Sequence, residues 1–273
     1  MRRRESPRPP AASPPKGPAE RAGRRRASIG WALRSGFRDI YDYLGAWVAA
    51  SLVWSGTATL GGVAIGRISA WLSVSSGAPI WLPALILGLA FVAIILGPLT
   101  GGLYHYARNA AARDEPELAD FVWGFRSAWG RCARLALAQA VIGGLLGGDV
   151  MFFLTMRRPL FAVLAIVMLY LWAFWILATM YQWPLLAHEE GRVRRVIRKS
   201  LLLTLDNLLF SVAIGGVCLL LTLVLGALVA GALILWAGSL AMLRTQATRE
   251  LLRRYELLGA DPTRDLPPEA LTE

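Results

Sequence analysis

The sequence predicts an all-α protein: a polytopic transmembrane helix bundle of about six spans, with amphipathic helices on its cytoplasmic side. Three observations carry that expectation. First, the 43 residues from Leu201 to Leu243 hold a single charged side chain, Asp206, and no Lys, Arg or Glu. One crossing of a bilayer core about 30 Å thick takes about 20 apolar residues, so the stretch has room for two crossings and a tight turn. Second, four more runs share this character: Tyr43–Gly66, Ile68–Ala107, Leu135–Met156 (broken only by Asp149) and Pro159–Ala187. Third, the chain is 56% hydrophobic, with mean hydropathy +0.49, yet its net charge is +11. In a soluble protein a pI near 10.6 would suggest nucleic acid. Here the basic residues are segregated along the chain, which orients a membrane protein. The lipid bilayer is therefore the expected partner, and nucleic acid is not.

Residues 1–27 hold six of the fifteen prolines and nine Lys or Arg, with almost no large apolar side chain. Nothing there offsets the entropy of ordering, so a disordered cytoplasmic tail is expected. A cleaved signal would need a 7–15-residue apolar core near the start. The first apolar run instead begins near Tyr43 and is of full span length. Ile29, Leu33, Phe37, Ile40, Tyr41 and Leu44 fall on one helical face, an interfacial helix leading into the bundle.

The membrane domain covers residues 28–258. Its spans are expected at about 44–66, 81–104, 135–156, 160–186, 201–222 and 226–243, and residues 259–273 form a disordered C-terminal tail. Ser73–Pro79, rich in Ser and Gly, is the first turn. Pro98 and Pro184 are expected to kink spans two and four, and the turn between the last two spans is expected at Val224–Gly226. Six spans place both termini on one side. Of the 29 Lys and Arg, 26 then fall on that side and three (Arg67, Arg157, Arg158) on the other. Basic residues in short loops mark the cytoplasm, so both termini are expected inside a bacterial plasma membrane.

The loop Arg108–Arg134 is the longest between spans. Asp114-Glu115-Pro116-Glu117 is a helix-start pattern, with acidic residues at the positive end of the helix and proline at its first position. Phe121, Phe125 and Trp129 then recur at steps of four, either to dock a partner or to pack beneath the bundle. Glu189-Glu190 are adjacent and point to different faces, so they read as a turn closed by Gly191. After Leu243 an amphipathic helix continues with Leu251, Leu252, Tyr255 and Leu258, and Gly259 stands at its C′ position.

Ionisable groups at membrane depth are functional candidates, because burying them costs several kcal/mol unless they are paired. Asp206 with Asn207 is the best such pair. Asp149, near the outer end of span three, has Arg157 and Arg158 as potential partners. His105, between Tyr104 and Tyr106 and one turn before Arg108, fits a relay or, more simply, an interfacial anchor. Gly62/Gly66, Gly97/Gly101, Gly143/Gly147 and Gly144/Gly148 have the spacing of close helix contacts. Cys132 and Cys218 form no metal spacing and read as small apolar filler. With two histidines and no HExxH, GxSxG or P-loop, no catalytic residue, metal or cofactor is expected.

Two stretches resemble the YesL-like family of bacterial integral membrane proteins of unknown function. One is Gly97-Pro98-Leu99-Thr100-Gly101-Gly102-Leu103-Tyr104-His105-Tyr106-Ala107-Arg108 followed by Phe121-Val122-Trp123-Gly124-Phe125. The other is Trp183-Pro184-Leu185-Leu186-Ala187 with Ile197-Arg198-Lys199-Ser200-Leu201-Leu202-Leu203-Thr204-Leu205-Asp206-Asn207. The likeness covers roughly Leu44–Arg254. The Gly66–Trp81 region and the basic N-terminal tail depart from the pattern. The resemblance implies a helical bundle, with some relatives encoded near carbohydrate uptake, and no catalytic residues. The expected function is therefore a non-catalytic membrane protein, accessory to solute or carbohydrate uptake or to envelope function through a transport or envelope protein partner. The alternative is a small permease using Asp206, Asn207 and Asp149.

Overall fold

The computed structural model describes residues 29–77, 79–112, 118–156, 159–188 and 192–254, and these are almost wholly helical. The helices are α1 (Ile29–Asp42), α2 (Leu44–Ser76), α3 (Trp81–Ala111), α4 (Leu118–Ser127), α5 (Trp129–Thr155), α6 (Pro159–His188), α7 (Val193–Asp206), α8 (Leu208–Ala227), α9 (Val229–Ile234) and α10 (Trp236–Arg254). Among the described residues, α2, α3, α5, α6 and α8 are long and apolar enough to cross a membrane. The sequence expectations for both tails, for the helix start at Asp114–Glu117, for Arg157 and Arg158, for the Glu189–Gly191 turn and for Tyr255–Gly259 lie outside the described residues.

Burial follows the logic of a membrane protein. Large apolar side chains such as Leu60, Val63, Leu209 and Leu223 are exposed, while Ala, Gly, Ser and Thr fill the helix contacts. Lipid is as apolar as leucine, so close van der Waals approach and interhelical hydrogen bonds hold the helices together. α1 divides its apolar residues between the core, against which Leu33 and Ile40 pack, and the exterior. Its buried residues are Ala32, Gly36 and Asp39, whereas Phe37 and Tyr41 point outward. Small residues let α1 lie close against α10, where Gly36 meets Leu243.

The first span is longer than expected. α2 runs past Gly66 to Ser76 and ends at Gly77, whose left-handed backbone (φ 67°) lets its N–H reach the Ser73 carbonyl at 3.0 Å. A single exposed Arg67 does not stop a helix, and 33 residues extend about 50 Å at 1.5 Å per residue. α3 changes character midway. Trp81–Phe91 contains no buried residue, whereas most of Gly97–Ala111 is buried and forms the axis of the bundle. Between them Val92–Leu96 makes a π-helical turn, with the Gly97 N–H reaching back to the Val92 carbonyl. The wider turn precedes Pro98, which has no N–H to give. α6, by contrast, continues through Pro184 as one helix.

The glycine pairs sort sharply. A Cβ on Gly97 would stand 2.7 Å from the Ala136 Cβ, and one on Gly101 would overlap the Cys132 sulfur, so α3 and α5 touch along Gly97/Gly101 and Cys132/Ala136. Gly143 and Gly147 meet Trp175 and Trp172 at ordinary contact distance, while Gly62, Gly66, Gly144 and Gly148 face open space.

The last two spans differ most from expectation. Residues Leu201–Asp206 belong to the amphipathic α7, and the apolar helix starts only at Leu208, after a break at Asn207 (φ −128°, ψ 45°). α8 runs through the expected Val224–Gly226 turn and ends at Ala227, with the break at Leu228. The sixth expected span is two helices, α9 and α10, parted at Leu235. Trp236 returns beside Thr222 of α8, so α10 runs back along the bundle. From Ala237 to Thr248 it is buried almost all round. Its polar residues lie against protein, which explains why hydropathy alone ends the span at Leu243.

Candidate functional site

Two polar assemblies lie at the end of the bundle where α1, α7 and the end of α10 gather. The first is interior. Arg244, on α10, directs its Nη1 towards the Tyr104 hydroxyl at 3.4 Å and faces Cys218 of α8. Its Nε is buried without a hydrogen-bond partner, and among the described residues it pairs with no carboxylate. The Tyr104 ring stacks on Trp183, 6.2 Å between centroids. Trp183 donates its indole N–H to Gln139 Oε1 at 3.0 Å, and Gln139 donates to Gln182 Oε1 at 2.8 Å. α3, α5, α6 and α10 thus meet through one chain of polar contacts.

Shorter links flank it. Tyr181 and Ser211 share a bond of 2.8 Å, and the Ser211 hydroxyl also donates to the Asn207 carbonyl. Gln246 donates to Asp39 at 2.5 Å, tying α10 to α1. Trp54 donates to Thr100, Trp236 to Thr222, and the Gly238 N–H to Ser51. In hydrocarbon each such group would cost free energy if left alone, so these pairs offset part of the cost of the bundle's buried polar groups. Trp47 Nε1, Tyr106 OH, Gln182 Nε2 and Gln246 Oε1 are nevertheless buried without a partner among the described residues.

The second assembly is a cleft of about 50 Å³ between α3, α4, α5 and α6. His105 and Arg108 come from α3, Trp123 from α4, Arg131 from α5 and Trp183 from α6. Arg108 is held in place by a 2.7 Å bond from Nη1 to the Ala187 carbonyl, at the end of α6 where carbonyls lack helical partners. The His105 ring lies 4.7 Å from that of Trp123. α4 sits here because glycines allow it: a Cβ on Gly102 would reach the Phe121 carbonyl, and one on Gly124 would reach His105.

The structure brings His105 and Arg108 into one cleft, as their shared helix allows. It does not bring the acidic candidates together. Asp149 is exposed on the last part of α5, and Asp206 is exposed at the end of α7. Asp206 therefore does not lie inside a span as expected, because the helix breaks after it. Asn207 is buried at that break, its side-chain amide bonded to the Leu203 carbonyl at 3.2 Å. Phe121 and Phe125 are half-buried against α3, and Trp129 is exposed. The apolar stripe of α4 is thus mainly turned to its own bundle, leaving Val122 and Trp123 outward.

No family model, curated protein or solved structure matches the chain.

Arg244, Gln139 and Gln182 are not candidates on sequence grounds, and Arg131 and Trp123 stand there only as neighbours of the Phe121–Trp129 stripe. Gln139 and Gln182 did carry a signal, since each is an uncharged polar residue in an apolar run. In the sequence Arg244 follows the last apolar residue of the expected span and so counts with the cytoplasmic charges.

Proposed function

We propose that the chain is a non-catalytic protein of the bacterial inner membrane, with both termini in the cytoplasm, that assists solute or carbohydrate uptake or envelope function by binding a protein partner. The observation that carries this reading is how the interior polar groups are used. Gln139, Gln182, Tyr181 and Ser211 bond mainly to one another across helices, while Val122, Trp123 and Trp129 are left exposed at the basic end. Exposed aromatic side chains beside basic residues suit contact with a partner at the membrane edge. The charge segregation supports the orientation, and the two stretches that resemble the YesL-like family fit the accessory role. The permease alternative gains no support, because Asp149 and Asp206 face outward and line no common path.

The test is co-purification from native membranes with wild type and with Trp123→Glu. The variant should lose its partner while inserting and melting as wild type does, because Trp123 is 58% exposed. Uptake of a labelled sugar by proteoliposomes holding this protein alone would overturn the accessory reading.

A further inference from the structure

The cleft between α3, α4, α5 and α6 has a chemistry that partner docking does not use. Arg108 and Arg131, from different helices, both line it, together with His105. No acidic side chain is among the described lining residues; Asp120 of α4 lies outside the lining, though its charge acts on His105. Neither arginine is paired with a carboxylate among the described residues. Its volume of about 50 Å³ accommodates a few waters or one small tetrahedral oxyanion. Arg108 is preset by the Ala187 carbonyl, so little side-chain freedom remains to be lost when an anion arrives. Trp123 stands at the rim, 58% exposed, and Val122 beside it is also exposed. Aromatic and apolar groups next to a basic pocket are the arrangement expected where a headgroup meets the acyl boundary.

We infer that this cleft binds a phosphate group, with Arg108 and Arg131 as its ligands. The phosphate belongs either to an anionic lipid headgroup or to a free phosphate. Guanidinium groups suit it because their planar N–H donors match phosphate oxygens. His105 and the exposed Ser127 at the same cleft add further donors.

Native mass spectrometry of the full-length, delipidated protein in detergent tests this. The probes are dioleoylphosphatidylglycerol, dioleoylphosphatidylcholine and inorganic phosphate. One phosphatidylglycerol should bind more tightly than any phosphatidylcholine. Arg131→Gln should weaken it about fivefold, the value of one basic side chain near a membrane surface. The double variant Arg194→Gln/Arg195→Gln, which removes exposed charges on α7, should leave it unchanged. Ser127→Trp should block the cleft without altering its charge, which keeps the test valid if an arginine variant folds poorly. Displacement of the lipid by excess inorganic phosphate would assign a free phosphate as ligand, and no displacement would assign the lipid headgroup. Equal binding of both lipids with no binding of inorganic phosphate, an equal loss in the α7 variant, or no binding of either phosphatidylglycerol or phosphate would overturn the inference.

Discussion

Arg244 shows what single residues do in this bundle. Its guanidinium keeps its charge at any working pH, yet among the described residues the side-chain oxygen it reaches is that of Tyr104, at the long distance of 3.4 Å. Arg244 is half-buried, with its Nε shut away from any partner, and a partly desolvated charge without a counter-charge is a cost rather than a gain in stability. Arg244→Met, which keeps volume and removes the charge, should therefore hold or raise the melting temperature in detergent. Arg244→Glu should lower it, because a carboxylate beside the Tyr104 hydroxyl is equally desolvated and lacks the reach. A clear loss of stability in Arg244→Met would mean that the guanidinium is a structural clamp. Gln139 and Gln182 carry no charge to desolvate: the two neutral amides meet at 2.8 Å, although Gln182 Nε2 is buried without a partner among the described residues. Both residues were visible in the sequence as polar interruptions, but which helices they join was not.

At the scale of elements, contact is decided by where side chains are absent. The α3–α5 seam exists because Gly97 and Gly101 offer no Cβ to Ala136 and Cys132. Gly97→Ala should cost about 1–3 kcal/mol as overpacking, since its new methyl meets a Cβ and the Cys132 carbonyl, neither of which can rotate away. Gly62→Ala should be neutral or stabilising by up to about 1 kcal/mol, because its Cβ meets nothing and alanine favours the helix. Reversible unfolding in mixed micelles measures both, and Ala136→Gly should partly rescue Gly97→Ala. Equal effects at the two glycines would sink this account of the seam. The four-residue spacing was legible in the sequence for both Gly97/Gly101 and Gly62/Gly66. Spacing marks a helical face that permits close approach; it does not say whether another helix arrives there.

For the whole molecule, the decisive property is which side each end occupies. α1 and the last turns of α10 lie together, through Asp39 with Gln246 and through Arg253 over the Trp31 ring at 4.4 Å. The first and last described helices therefore share one end of the bundle, the arrangement an even number of crossings gives if α9 and α10 together return across the membrane after the five long apolar helices. With 26 of 29 basic residues assigned to that end, it should face the cytoplasm. Cysteine labelling tests this without removing native thiols, because Cys132 and Cys218 are buried. On spheroplasts, an impermeant maleimide should label Ser75→Cys, and should label Arg194→Cys only after permeabilisation. The reverse pattern would invert the orientation, and labelling of both from outside would require an even number of crossings between them in place of the three made by α3, α5 and α6.

Composition and the spacing of apolar runs by themselves determined that this is an all-α protein built to lie in a membrane, and where four of its long helices fall. Those features depend only on local transfer from water to lipid and on helix geometry, which each segment carries alone. The sequence also placed His105 and Arg108 together, since neighbours on one helix need no tertiary information. Only the tertiary structure decided that α7 stops at Asn207, that the sixth crossing is broken at Leu235, and that Arg244 points inward. Hydropathy treats each residue as if it faced lipid, whereas Gln246 and Thr248 are buried against other helices, Gln246 donating to Asp39 of α1 and Thr248 bonding back to the Arg244 carbonyl of its own helix.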